Sequence, residues 1–292
     1  MIPAAFDYLR ARSRDEAFAH LQTHGADARV LAGGQSLIPA MRFRLARPAV
    51  LVDINGVRDL DYVMLSNGTL SVGAMARDSA IERAPWVADR RWSLFHDVSR
   101  VVADPVVRQT GTVVGSLCHN DPAGDWTATA LAAGGAVVVR GKDGTRTVSI
   151  DEFLVDSFTT AVGEGEMAIE ARFPVPDDRT AGSYQKVERK VGDFATAAAA
   201  VQVSLNADGT IRNAGVALSA AGPCASRVDE AERLLAGQAP TAELIRAASD
   251  AAFRRSAPQA DLRGSVLYKK HLAGVLVGRG LRQALGRLGV NV

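Results

Sequence analysis

Two short glycine-containing segments have the residue types that bind phosphate groups. Residues 32–36 read AGGQS and residues 111–116 read GTVVGS. Glycine lets an anion approach backbone N–H groups closely, and glutamine, serine and threonine side chains add further donors. If Ser36 begins a helix, the N–H groups of the first turn favour a pyrophosphate. The pair predicts an anion-binding site, although each segment could also be an ordinary tight turn.

Neither segment fits the dinucleotide fingerprint of NAD-dependent enzymes. That fingerprint reads GxGxxG and is followed about 20 residues later by an acidic residue that binds the ribose. The sequence therefore argues against a Rossmann-type NAD site and leaves the identity of the anion open.

No catalytic or metal-binding group is indicated elsewhere in the sequence. His119 lies beside Asn120 and Asp121, but a histidine in such a loop more often shapes the turn than transfers protons. The remaining histidines are scattered. Cys118 and Cys224 are far apart, which excludes a disulfide framework, a four-cysteine zinc site and an iron–sulfur cluster held by this chain alone.

The composition is that of an ordinary globular protein. The chain has 292 residues, of which 47% are hydrophobic and 23% charged, and its net charge is only +2. This length suggests two domains, and the balanced charge gives no indication of nucleic-acid binding. Neither a signal peptide nor an apolar stretch long enough to cross a membrane is visible. We expect a cytoplasmic protein without a transmembrane segment.

Periodicity and turn signals predict the elements that must position the two segments. The first fifty residues form a βαβ-like unit in which residues 32–36 follow a buried strand. Hairpins and short helices follow, and residues 110–117 are expected to be a strand or loop. Two consecutive Xaa-Pro pairs in residues 173–176 suggest a linker. The last part predicts a separate α+β domain with three strands and three helices, at 184–191, 195–205, 211–218, 227–235, 241–254 and 264–288.

Three longer stretches carry a family resemblance. Residues 31–54 read LAGGQSLIPAMRFRLARPAVLVDI, residues 101–126 read VVADPVVRQTGTVVGSLCHNDPAGDW, and residues 184–201 read YQKVERKVGDFATAAAAV. They resemble, in order, two flavin motifs and the start of the C-terminal domain in the FAD-binding (medium) subunits of the xanthine dehydrogenase and aerobic carbon monoxide dehydrogenase family, the molybdenum hydroxylases. With the N-terminal IPAAFDYLRARS, the resemblance covers essentially the whole chain.

The resemblance implies an α+β fold of two domains. Residues 1–176 would form a two-part FAD-binding domain of the PCMH type, with a small βαβ subdomain over about residues 1–57 and a mixed-sheet subdomain over residues 58–176. Residues 177–292 would form a carbon monoxide dehydrogenase flavoprotein-like domain. This second domain would contain a three-stranded antiparallel sheet and a helical bundle.

The resemblance also implies which residues contact FAD. Asp125 matches an acidic residue that meets the adenosine part, Ile169 a backbone contact to the flavin, and Lys186 a lysine close to the isoalloxazine ring. A cation there would stabilise the negative charge of the reduced flavin. The pyrophosphate would be wrapped by Ala32, Gly33, Gly34, Gln35 and Ser36. Further contacts would come from Val102, Ala103, Thr112, Val113, Val114, Gly115 and Ser116.

Val114 departs from the family pattern, which usually has a pair of glycines here, and Val114 replaces the first of the pair. A β-branched residue does not readily adopt positive φ. We therefore expect an ordinary backbone conformation at Val114, which puts a close phosphate contact there in doubt.

The function implied by the resemblance is that of a flavin subunit of the carbon monoxide dehydrogenase medium-subunit type. A separate small subunit with two [2Fe-2S] clusters would supply electrons, and a large molybdopterin subunit would act on the substrate, in a dimer of heterotrimers. The substrate stays open between carbon monoxide, an aldehyde, a purine and another N-heterocycle. Two alternatives remain: a stand-alone FAD oxidase, and an assembly subunit that has lost its flavin.

Overall fold

The βαβ unit expected at the N-terminus is present in the computed structural model, which describes residues 2–292. In this unit β3 pairs in parallel with β1 on one side and β2 on the other. The carboxyl ends of parallel strands lie at one edge of the sheet, so residues 32–36 leave β2 at that edge. The elements are β1 (Asp7–Arg10), α1 (Arg14–His24), β2 (Ala28–Leu31), α2 (Leu37–Arg42) and β3 (Val50–Asp53).

The second subdomain contains a five-stranded sheet surrounded by short helices. Its elements are β4 (Val63–Ser66), β5 (Thr69–Gly73), α3 (Asp78–Glu82), α4 (Ser93–Val101), α5 (Pro105–Arg108), α6 (Val113–His119), α7 (Asp125–Ala133), β6 (Ala136–Gly141), β7 (Gly144–Ser149), α8 (Ile150–Phe153), β8 (Leu154–Asp156), β9 (Thr159–Thr160) and β10 (Met167–Pro174).

The strand order of this sheet is β4-β5-β10-β6-β7, and every pairing is antiparallel. The expectation of a mixed sheet is therefore wrong. For β4-β5 and β6-β7 the physical reason is the short connection between consecutive strands, since a hairpin makes its strands antiparallel. The turn between β4 and β5, Asn67-Gly68, has positive φ at both residues.

The C-terminal part contains a sheet with helices packed against it. Three long strands form the expected antiparallel sheet, and a two-residue fourth strand pairs with the third. The elements are β11 (Thr180–Val187), β12 (Ala197–Leu205), β13 (Ile211–Ser219), β14 (Ser226–Arg227), α9 (Asp229–Leu235), α10 (Ala242–Arg255) and α11 (Val266–Arg287). The α+β fold class is thus confirmed, whereas the domain limits at 57 and 176 stay predictions.

Residues 110–117 differ from the expected strand or loop, because Val113 begins helix α6. The helix has a side-chain cap: Gly115 N donates to the Thr112 hydroxyl at 3.1 Å. Val113 and Val114 have modest helix propensity, but both are buried, and burial of two apolar side chains outweighs a few tenths of a kcal/mol of propensity.

An aromatic cluster fixes the start of α7, the helix that begins at Asp125. Phe95 contacts Trp92, Trp126 and Phe173 with ring centroids 5.3, 6.2 and 5.0 Å away. All four side chains are fully buried. Helix α7 also packs against β12 and β13 and so connects the two domains. Among residues 2–292, no helix combines the length and apolar character needed to cross a membrane.

Candidate functional site

The two glycine-containing segments lie in direct contact, although the sequence separates them by about 75 residues. A β-carbon built on Gly33 would lie 2.2 Å from the carbonyl oxygen of Thr110 and 2.9 Å from the α-carbon of Gly111. The Gln35 amide also donates to the Thr110 hydroxyl. No other residue type fits at Gly33 without moving the backbone of residues 110–111. We call residues 32–36 the first loop and residues 110–116 the second loop.

Both loops have backbone N–H groups without a protein acceptor. Within residues 2–292, the amides of Gly33, Gly34, Gln35 and Ser36 donate to no backbone or side-chain group. The same holds for Val113 and Val114 in the first turn of α6. Buried or half-buried amides normally have partners. Six free amides in two touching loops therefore suit an anionic group such as a pyrophosphate.

The Val114 conformation agrees with the expectation from its side chain. Val114 lies in the first turn of α6, and its φ is not positive. Its side chain is buried in the core, at 2% exposure, and therefore does not cover the backbone N–H of Val114. Gly115 is required for a different reason: a β-carbon there would lie 2.6 Å from the capping hydroxyl of Thr112.

A polar network that sequence reasoning did not identify joins the two loops. Asn55 Nδ2 donates to the carbonyl of Ala32 at 2.9 Å. Arg77 donates to Asn55 Oδ1 at 2.7 Å and to the carbonyl of Thr110. Asn55 and Arg77 thus fix the backbone of both loops from one side. Their sequence signal is weak, because Asn55 follows β3 by only two residues and looks like an ordinary turn residue.

Asp53 anchors this network at the carboxyl end of β3. Its Oδ1 accepts from the backbone and side-chain amides of Asn55 at 2.8 and 2.6 Å, and the Tyr8 hydroxyl donates to Oδ2. Burial alone would raise the pKa of Asp53, but the hydrogen bonds from Tyr8 and Asn55 hold it below its usual value. Asp53 is therefore a charged acceptor at neutral pH.

The predicted contacts Val102 and Ala103 form a strained turn after α4. Ala103 has φ 47°, a left-handed conformation that costs a non-glycine residue about 1–3 kcal/mol. Arg108 holds this turn: its Nη1 donates to the carbonyls of Val102 and Ala103, both at 3.1 Å. Arg108 is itself buried and pairs with Glu82 of α3 at 3.0 Å.

Asp125 and Lys186 contact each other directly. Lys186 Nζ lies 3.0 Å from Asp125 Oδ2, 3.0 Å from the carbonyl of Val101 and 3.3 Å from Glu188 Oε2. The Tyr184 hydroxyl donates to the other oxygen of Asp125 at 2.7 Å. Burial raises the pKa of Asp125, and Lys186 and Tyr184 oppose this rise. Lys186 thus donates to the Val101 carbonyl and to Asp125, whereas the buried Glu188 Oε2 has no hydrogen-bond partner among residues 2–292 and contacts Lys186 only as an ion pair.

This contact bears on the roles predicted for the pair. The adenosine and the isoalloxazine ring lie at opposite ends of an extended FAD, whereas Asp125 and Lys186 share one salt bridge. Lys186 also has two carboxylates beside it, which balance its charge. The contacts of Asp125 with the adenosine and of Lys186 with the isoalloxazine ring stay predictions.

Ile169 lies at an irregularity of the central strand β10. The pairing of β10 with β6 shifts register between Ala168 and Glu170, so Ile169 is the extra residue of a β-bulge. Its carbonyl accepts from the backbone N–H of Ala74 at 2.9 Å. Helix α6 packs against β10, which brings Ile169 into the same part of the fold as the second loop. Its contact with FAD stays a prediction.

A large surface concavity lies away from the two loops, and among residues 2–292 His119 offers no metal site with its neighbours. An open polar concavity of about 720 Å³ is lined by Gln22, Gly25 and residues 141–146 and 163–166, none of them among the predicted contacts. His119 lies 3.8 Å from Asp121. Within residues 2–292, no group of three His, Cys, Asp or Glu residues could hold a metal ion.

Comparison with known proteins identifies the family of the chain. Residues 4–176 match the family model described as FAD binding domain in molybdopterin dehydrogenase, and residues 182–284 match the CO dehydrogenase flavoprotein C-terminal domain. The chain belongs to the FAD-binding subunits of the molybdopterin dehydrogenase family. It is therefore a subunit of an oxidoreductase and carries the FAD-binding domain of that family.

Individual members of this family resemble the chain over nearly its full length. It is 37% identical to the carbon monoxide dehydrogenase medium chain of Hydrogenophaga pseudoflava, over 98% of this chain and 99% of that one. It is 32% identical to the 6-hydroxypseudooxynicotine dehydrogenase complex subunit alpha of Paenarthrobacter nicotinovorans, over 98% and 97%. The solved carbon monoxide dehydrogenase of H. pseudoflava that lacks the Mo-pyranopterin moiety superposes with a TM-score of 0.94, at 38% identity over 98% and 99% of the chains.

Proposed function

We propose that this chain binds one FAD at the two loops and serves as the electron-transfer flavin subunit of a molybdenum hydroxylase. The observation that carries the proposal is the contact between two glycine loops whose six amides have no protein acceptor. When bound, FAD accepts electrons one at a time and releases two. The chain's own residues bind and orient it.

The first loop would hold the pyrophosphate, because Gly33 and Gly34 allow close approach to their amides and Gln35 and Ser36 add side-chain donors. In the second loop, the backbone N–H groups of Val113 and Val114 would donate to the same pyrophosphate. Asn55 and Arg77 fix the distance between the loops. Such preorganisation lowers the free-energy cost of ordering the site when the cofactor binds.

The remaining predicted contacts would shape the other end of the site. Lys186 ties the carbonyl of Val101 to Asp125, and Arg108 ties the carbonyls of Val102 and Ala103 to α3. These two buried cations hold the turn after α4 in its strained conformation. Their proposed role is therefore to position the backbone that contacts FAD, rather than to supply charge to the ring.

We infer that the electron donor is another chain. The only cysteines are Cys118 and Cys224, too few to hold an iron–sulfur cluster. We infer a small partner subunit with two [2Fe-2S] clusters and a large molybdopterin subunit, assembled as a dimer of heterotrimers. An external acceptor would then take electrons from FAD. The cytoplasmic location stays a prediction from the sequence, and the substrate depends on the large subunit.

Co-purification tests this proposal. The tagged chain is expressed with the neighbouring genes of its operon, and the complex is analysed for FAD, iron and molybdenum. We expect one FAD per chain, with iron and molybdenum only in partner subunits. The isolated chain should contain FAD yet oxidise no organic substrate. Turnover by the isolated chain would indicate a stand-alone oxidase instead, and a chain that neither contains nor rebinds FAD would indicate an assembly subunit.

A further inference from the structure

A buried carboxyl group lies against the second loop on the side of α3. Asp78, the first residue of α3, is 4% exposed. A β-carbon built on Gly111 would lie 2.5 Å from Asp78 Oδ2, so the carboxyl group fills the space beside the α-carbon of Gly111. Trp126 Nε1 donates to Oδ1 at 2.9 Å, and the backbone N–H of Asp78 donates to the carbonyl of Gly111 at 3.0 Å. None of the functions described above requires this carboxyl.

Gly111 contacts both the carboxyl of Asp78 and the first loop. A β-carbon on Gly33 would lie 2.9 Å from the α-carbon of Gly111. A cofactor anion held by the amides of the two loops would therefore lie near the carboxyl of Asp78, with little solvent between them. Charges separated by protein rather than water interact strongly.

The charged groups around Asp78 do not neutralise it. Burial raises the pKa of Asp78 to about 7, and the nearby Asp125 carboxylate adds to this rise. The hydrogen bond from Trp126 and the positive charges of Arg108 on α5 and Arg77 act in the opposite direction. Neither arginine forms a salt bridge with Asp78, because Arg108 pairs with Glu82 and Arg77 binds the two loops.

Helix α4, which also packs against α3, offers no counter-ion. Its Asp97 pairs with Arg287 at 2.8 Å, and its His96 lies 3.4 Å from the same carboxylate. Arg100 is exposed and its Nη1 lies 3.5 Å from the His96 ring. The charge state of Asp78 is therefore set mainly by burial and by whatever anion the loops hold.

We propose that Asp78 takes up a fraction of a proton from solvent for each FAD that binds to the loops, so that FAD affinity falls as the pH rises through neutrality. This inference rests on the proposed FAD site. Below neutrality the carboxyl is already neutral and the loops receive the pyrophosphate without repulsion. Above it, FAD must either bind beside a carboxylate or draw a proton to Asp78, and both weaken binding.

Titration of FAD affinity against pH tests this role. Apoprotein of the full chain is mixed with FAD between pH 6 and pH 9, and the dissociation constant is measured by quenching of flavin fluorescence. We expect the wild-type Kd to rise about tenfold over this range, as for a group whose pKa increases by one unit on binding. Calorimetry in two buffers of different ionisation enthalpy should show net proton uptake at pH 8.

Three variants separate Asp78 from other groups. Asp78→Asn keeps the size of the side chain and an acceptor for Trp126, and should bind FAD with a pH-independent Kd close to the wild-type value at pH 6. His119→Gln removes a histidine of α6, the helix that begins at the second loop, and should keep the wild-type dependence. Trp126→Phe removes the donor that favours the carboxylate, so the rise in Kd should move to higher pH.

The outcomes are distinct. A wild-type Kd that does not change between pH 6 and pH 9 would overturn the inference, as would a pH dependence that persists in Asp78→Asn or vanishes in His119→Gln. If Asp78→Asn does not fold, the test rests on Trp126→Phe. A rise in Kd at the same pH in Trp126→Phe as in the wild type would then overturn the inference. Absence of FAD binding at every pH would refute the FAD site itself and not only the role of Asp78.

Discussion

The two sides of the candidate site are held in place by different kinds of interaction. The first loop is fixed by neutral and charged hydrogen bonds near the surface, through Asn55 and Arg77. The turn after α4 is fixed by buried cations, Lys186 at 3% side-chain exposure and Arg108 at 8%. An exposed hydrogen bond contributes about 1 kcal/mol, whereas a buried ion that loses its partner costs several.

This difference predicts how substitutions on each side should behave. On the buried side, the same groups position FAD and stabilise the fold, so binding and stability should fall together. On the exposed side, the network has little to do with the core, so binding should fall alone. Two quantities are measured for each variant and its control: the free energy of unfolding in urea and the Kd for FAD.

Lys186→Met should have the largest effect on stability. The variant leaves the buried Asp125 and the half-buried Glu188 without a cation, and we expect a loss of about 3–5 kcal/mol at pH 8. The loss should shrink as the pH falls, because Asp125, whose pKa is already raised by burial, then takes up a proton and no longer needs a partner. Lys142→Met, on the exposed hairpin between β6 and β7, is the control. A loss below 1 kcal/mol in Lys186→Met would mean that these carboxylates are solvated.

Arg108→Met should have an intermediate effect on both quantities. It removes two hydrogen bonds to the carbonyls of Val102 and Ala103 and the pair with the partly exposed Glu82, for an expected loss of about 2 kcal/mol. The left-handed conformation of Ala103 should then relax, and FAD binding should weaken. Arg100→Met, on the exposed face of α4, serves as the comparison. Unchanged FAD affinity in Arg108→Met would separate this turn from the cofactor site.

Arg77→Ala should have the smallest effect on stability and a clear effect on binding. Without its guanidinium, the two loops lose the bridge between Thr110 and Asn55, and we expect FAD to bind about tenfold more weakly, equivalent to about 1.4 kcal/mol. The free energy of unfolding should change by less than 1 kcal/mol. The exposed neighbour Arg83→Ala is the matched control. A large loss of stability in Arg77→Ala with unchanged FAD affinity would contradict the expected difference between the two sides of the site.

The sequence predicts the loops well and their mutual arrangement poorly. Glycines followed by small hydroxyl residues identify both loops, because few other residue types allow backbone N–H groups to meet an anion. The sequence does not predict helix α6, because adjacent valines and a glycine disfavour a helix locally. Burial of the valines in the core compensates for this low propensity. The contact between Gly33 and Thr110 is set by how the two subdomains pack.

Long-range pairing explains the other differences. Lys186 and Asp125 lie 61 residues apart in the chain, and no local pattern shows that they share a salt bridge. Asp78 and Arg108 look like an ordinary first-turn acid and a surface arginine until the fold buries them. Side chains whose role is to position a loop are therefore visible only once the tertiary contacts are known.

The most direct test of the two-loop site is FAD binding by Gly33→Val. A β-carbon at this position would lie 2.2 Å from the carbonyl of Thr110, so the loops must separate, and the side chain would cover the free amides. Gly286→Val, at an open position of α11, is the control. We predict stoichiometric FAD in the wild type and the control, and no FAD in Gly33→Val with an unchanged circular dichroism spectrum. Stoichiometric FAD in folded Gly33→Val would contradict the assignment of the site.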